Sequence, residues 1–217
     1  ITTNNGVISI GETTPISTLS ITGGSAAPAY ILSGAAATPI TIEGTGAFSI
    51  TGAAADAYIQ ATAGPLALTA DSLAIGASTG AGTNYIDATG QVDITLTGAL
   101  VLEGGDTDGG IAEITTQSNN PILIDGGSIA LSGGAGATSY ARIYTNQGGN
   151  VTIGGTTPVS TITLTGGSGG TAADASIRAE SAATAGNIDI TKTGLITLQG
   201  GSAANAYAEI RTYEDGS

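Results

Sequence analysis

Seven isoleucines stand at near-constant spacing along the whole chain, and they constrain its fold more than any other feature. Ile31, Ile59, Ile86, Ile114, Ile143, Ile177 and Ile210 step by 28, 27, 28, 29, 34 and 33 residues. Each step contains two further short motifs of the form apolar-x-apolar. One, usually followed by Gly-Gly, recurs at Leu19/Ile21, Phe48/Ile50, Leu73/Ile75, Leu100/Leu102, Ile129/Leu131, Ile162/Leu164 and Ile196/Leu198. The other recurs at Ile8/Ile10, Ile40/Ile42, Leu66/Leu68, Val92/Ile94, Ile122/Ile124, Val151/Ile153 and Ile188/Ile190. Period two with β-branched residues, punctuated by Gly, Ser, Asn and Pro, predicts strands. The same residues and the absence of a 3.6 period disfavour helix.

Three strands per turn of about thirty residues predict a right-handed parallel β-helix, a β-solenoid of about seven coils. Equivalent residues then stack at about 4.8 Å, with Ile upon Ile along the inside. No single coil can bury its own apolar face, so only the stack is stable. The seven isoleucines form the expected core ladder. Ile114→Asp should disrupt several coils, whereas Glu113→Lys, one residue away and facing out, should be nearly silent.

One string is written twice. ISIGETTPISTLSITGGS at 8–25 and VTIGGTTPVSTITLTGGS at 151–168 share 11 of 18 residues. The likeness continues from 35–52 to 182–200. Residues 1–217 therefore read as one solenoid domain with a five-coil super-repeat of about 143 residues, its second copy incomplete. The shared Thr-Thr-Pro turn favours duplication over convergence, because packing alone does not demand it.

Composition narrows function. Net charge is −13, with Arg142, Arg178, Lys192 and Arg211 the only basic side chains. Such a surface is repelled by nucleic acid and by anionic membranes. No apolar run approaches a membrane span, so no membrane insertion is expected. Cysteine is absent, which rules out disulfides and is compatible with secretion. The chain opens on Ile1 with no leader pattern and reads as a mature or excised piece.

The strings LTGGS, GNVTI, GNIDIT and LITLQGGSA resemble the repeats of filamentous-haemagglutinin-type adhesins, the large exoproteins of bacterial two-partner secretion. The resemblance spans the chain. It implies a rod-like shaft outside the cell, at the bacterial surface, and carries over no catalytic residues.

Parity places Tyr30, Tyr58 and Tyr85 on the outside of successive coils, each one residue before a core isoleucine. Tyr140, Tyr144, Tyr207 and Tyr213 face out beside the same strand. Tyr30, Tyr58, Tyr85, Tyr140 and Tyr207 thus form a candidate contact stripe for a glycan or a neighbouring rod. It is equally readable as a plain aromatic ladder on an exposed sheet. Glu113, Arg142, Ser176 and Glu209 continue the column as polar residues.

GGDTDGG at 104–110 holds Asp106 and Asp108, which resemble the start of a calcium loop but lack its remaining ligands. A solvated acidic turn is the expectation, with Ca2+ the one cofactor left to consider. No enzyme is expected: His is absent, and Arg178 and Arg211 follow core isoleucines with no acidic cluster evident beside them. The expected role is a structural extracellular shaft or fibre subunit. Its end coils look uncapped, so copies could stack head to tail as a homopolymer. The alternative is an adhesin that binds cell-surface or matrix glycans through the tyrosine stripe.

Overall fold

The computed structural model of the 217-residue chain describes residues 1–4, 6–34, 38–76, 79–170, 172–181 and 186–214. Among them there is no helix, and every named strand belongs to one of three parallel sheets. The Gly-Gly motif builds the first sheet: Leu19–Thr22, Ala47–Thr51, Ser72–Gly76, Ala99–Glu103, Ser128–Ser132, Ile162–Thr165 and Ile196–Gln199. The isoleucine column builds the second: Thr2–Thr3, Ala29–Ser33, Ala57–Ala61, Thr83–Ala88, Ile111–Thr116, Ala141–Thr145, Ala175–Ser181 and Ala208–Glu214. The remaining motif builds the third: Ile8–Ile10, Ile40–Glu43, Leu66–Ala70, Val92–Leu96, Ile122–Asp125, Val151–Ile153 and Ile188–Ile190. The chain visits second, third and first sheets in turn, so each circuit adds one strand to each. This is a β-solenoid of about seven coils.

The register pairs like with like. Ile31, Ile59, Ile86, Ile114, Ile143, Ile177 and Ile210 are partners strand by strand. The first six are at most 2% exposed, while Ile210, in the last described coil, is half-buried. The three sheets enclose one continuous aliphatic core. Each fully buried Ile or Leu contributes about 1.5–3 kcal/mol relative to an exposed one. The single phenylalanine, Phe48, sits between Leu19 and Leu73 in the first sheet. Gly44 makes room for it: a Cβ there would lie 2.2 Å from the Phe48 ring.

Small polar residues also point inward, two positions after the isoleucine. Ser33, Thr116 and Thr145 are essentially inaccessible. Each donates its hydroxyl hydrogen to a carbonyl of the following corner: Thr38 at 3.2 Å, Asn120 at 2.8 Å and Gly149 at 2.7 Å. Buried hydroxyls need such acceptors, and here they tie the second sheet to the corner that leads into the third.

The duplicated strings are built alike. Gly11 and Gly154 adopt positive φ of 83° and 72°, and a Cβ at either would lie about 2 Å from a carbonyl oxygen of the next coil. Ile16 and Val159 each form an isolated parallel bridge to the next coil. The Ile16 N–H donates to Glu43 O at 3.1 Å, and the Val159 N–H donates to Thr191 O at 3.2 Å. In the second copy the Thr-Thr-Pro turn is also held from below. Asp125 Oδ1, from the preceding coil, accepts the N–H groups of Thr156 and Thr157 at 2.8 and 3.2 Å.

That contact is one of several. Asp56 accepts the Thr83 N–H at 2.8 Å, Asp71 accepts the Thr97 hydroxyl at 2.7 Å, and Asn150 accepts the Asn187 N–H at 2.9 Å. Part of the acidic excess therefore sits at corners, where a carboxylate caps a donor of the coil above.

Candidate functional site: the outer face of the second sheet

Alternation along the second sheet puts one side chain out for each isoleucine turned in. Tyr30, Tyr58, Tyr85, Glu113, Arg142, Ser176 and Glu209 stand in register one residue before the core ladder. Tyr30 and Tyr58 rings stack with centroids 5.0 Å apart and planes 12° apart. Tyr58 and Tyr85 stack at 4.7 Å and 3°. The strand spacing of about 4.8 Å imposes this near-parallel arrangement.

The other two tyrosines of the expected stripe are elsewhere on the face. Tyr140 and Tyr207 lie three residues before their isoleucines and line a groove of about 360 Å³ with Arg142, Ala172, Asp174, Arg178 and Asn205. The Tyr207 hydroxyl donates to Asn205 Oδ1 at 2.7 Å. Glu113 and Arg142 interrupt the column between the two groups. The expected stripe is therefore two patches: a stacked ladder on the early coils and a charged groove on the later ones.

Ion pairs organise the later patch. Arg142 Nε lies 2.5 Å from Glu113 Oε2. Its guanidinium carbon stands 4.5 Å from the Tyr140 ring centroid and 4.6 Å from that of Tyr144. Burial pulls this guanidinium down, but the Glu113 carboxylate beside it holds it above its ordinary value. Arg211 lies 4.3 Å over Tyr213. Arg178 pairs with Asp174 at 2.7 Å and Glu209 at 2.6 Å, with Glu180 at 3.8 Å. Two of the carboxylates around Arg178, Asp174 and Glu180, are its neighbours in sequence, and the third, Glu209, comes from the next coil. The usable signal was the in-register stacking of Arg178 on Arg211, two like charges that require carboxylates nearby.

The aspartates of the GGDTDGG turn do not converge. Asp108 Oδ1 accepts the Ala137 N–H of the next coil. Exposed Asp106 lines a separate groove of about 350 Å³ with Glu103 and glycines. Among the described residues, no three His, Cys, Asp or Glu side chains group to hold a metal ion.

Burial raises the Tyr58, Tyr85 and Tyr140 hydroxyls above the ordinary 10.0; neighbouring tyrosines and carboxylates reinforce this at Tyr58 and Tyr85, while Arg142 opposes it at Tyr140. These groups keep their protons in the folded state at pH values where the unfolded chain loses them. Their contribution to stability is complete below pH 10 and is lost as pH rises through the folded values. Absorbance at 295 nm should show these three titrating later in the native than in the urea-unfolded chain. Urea midpoints should fall between pH 9.5 and about pH 11.5. Superimposable native and unfolded titrations would remove the ladder's burial.

No family model, curated protein or solved structure matches the chain. Fold and face together define a class all the same: a parallel β-solenoid of stacked coils with an aromatic and charged outer sheet.

Proposed function

We propose that the chain is a structural, non-enzymatic β-solenoid shaft or fibre subunit working outside the cell. The observation that carries this reading is where apolar surface remains. Among the described residues, Ile1, Val7, Leu195, Leu198 and Tyr207 are the exposed large hydrophobic ones, and all belong to the first or last described coil. Those coils also present open parallel strand edges, which pair readily with another strand of the same pattern. Another coil of this kind satisfies both, supplied by the same polypeptide or by a second copy head to tail. A head-to-tail contact does not close on itself and propagates as a filament.

Negative-stain electron microscopy of native material from the source cells tests this. Thin filaments with an axial repeat of about 34 Å, seven rises of about 4.8 Å, are the result expected of a stacking subunit. Straight rods anchored at the surface are the result expected of a shaft within a longer polypeptide. Compact particles with no rod or filament would overturn both.

A second reading, glycan binding, draws support from the groove holding Tyr140, Tyr207, Asn205 and Asp174, which offers aromatic faces beside hydrogen-bonding groups. Its test is a glycan-dependent change in tyrosine fluorescence, reduced in Tyr207→Ala. No change across a glycan panel removes the reading.

A further inference from the structure

A second groove, of about 230 Å³, lies on the same face beside Tyr85. Its walls are Tyr85, Asp87, Glu113, Thr83 and Thr115, closed by the amides of Gln60 and Gln117. Asp87 lines it although only 6% exposed. The Asp87 carboxylate accepts Gln60 Nε2 at 2.9 Å and Gln117 Nε2 at 3.2 Å. These amides orient it without neutralising it. Among the described residues no cation comes within ion-pair distance of Asp87. A half-buried aromatic ring and an oriented, uncompensated carboxylate thus face one small space, beside Glu113, whose charge Arg142 already pairs. The groove is complementary to a cation.

The kind of cation is indicated two coils along the same sheet. There Tyr140, Arg142 and Tyr144 alternate outward on one strand, and Arg142 lies against both rings while donating to Glu113. Tyr85 and Asp87 alternate outward on their own strand in the same way, supplying the ring and the carboxylate but not the guanidinium. A divalent metal favours several converging carboxylates, and among the described residues no three His, Cys, Asp or Glu side chains group to hold one. A planar guanidinium can lie on the ring and donate edge-on to the carboxylate at once, which a lysine ammonium cannot match.

We propose that the groove beside Tyr85 is a docking site for an arginine side chain presented by a basic segment of a partner protein. The net charge of −13 draws such a segment toward the chain, and the groove selects its guanidinium. The proposal does not depend on whether the chain is a shaft or a glycan binder.

The test is titration of the full chain with hexa-arginine and hexa-lysine peptides, followed by calorimetry at moderate salt. Hexa-arginine should bind more tightly than hexa-lysine. Asp87→Asn should weaken hexa-arginine about tenfold, and Tyr85→Leu about threefold, with far-ultraviolet circular dichroism confirming the fold. Asp106→Asn removes an equal charge from another face and should change binding less than twofold. Equal losses from Asp87→Asn and Asp106→Asn would mean undirected charge attraction and overturn the proposal. So would equal affinity for the two peptides.

Discussion

Ile114→Asp abolishes the cooperative unfolding transition of the native chain, or lowers its stability by about 4 kcal/mol or more. Ile114 is fully buried and stands in register between Ile86 and Ile143. A carboxylate there has no cation within the core and no route to water except by opening the coil. Opening that coil exposes the isoleucines on both sides, so the damage spreads along the stack. Urea melts followed by circular dichroism read the effect directly. A midpoint shifted by no more than that of a surface substitution would refute the inward assignment of the whole column. The suitable silent control is Ala67→Lys, an exposed position between buried Leu66 and Leu68. Glu113→Lys, which parity alone marks as silent, is not. Its side chain is 13% exposed and paired with Arg142, so charge reversal sets two cations together and should cost about 2 kcal/mol.

The difference between those two substitutions marks what the sequence could and could not tell. Column membership was legible throughout, because period two along a strand and near-thirty periodicity along the chain fix each residue's face and its neighbours above and below. That sufficed for the three sheets, their register and the Tyr30–Tyr58–Tyr85 ladder. Contacts depending on the reach of a long side chain across coils were not legible. Arg178 meeting Glu209, and Gln60 and Gln117 converging on Asp87, need distances that spacing does not supply. Corner chemistry was equally hidden. Asp56, Asp71 and Asp125 each cap a donor one coil away, a role that spacing alone does not reveal.

Gly134→Ala should cost about 3 kcal/mol, while Gly24→Ala, in the same Gly-Gly motif, should stay within about 0.5 kcal/mol of the parent. Neither glycine has the positive φ that would by itself demand glycine. The difference lies in what each would touch. A Cβ on Gly134 would fall 2.1 Å from Gly105 O and 2.6 Å from the Gly104 carbonyl carbon. The same approach repeats up the corner, where a Cβ on Gly167 would meet Gly134 O and one on Gly201 would meet Gly167 O. Backbone meets backbone in a continuous column, so Gly134 cannot move away without displacing Gly167 above it. At Gly24 the nearest atom is Ala27 O at 3.5 Å, an ordinary contact. Urea midpoints of the two variants give the comparison, and similar losses at both sites would contradict a close-packed glycine column. Under the proposed head-to-tail stacking, Gly24 would also lie at the contact between copies. A copy docking head to tail on the first described coil would bring its last corner, at Gly201, toward Gly24. Gly24→Ala should then shorten filaments in electron micrographs while leaving the stability of the single chain unchanged. Filaments of full length from this variant would place the end-to-end contact away from the glycine corner, on the strand edges alone.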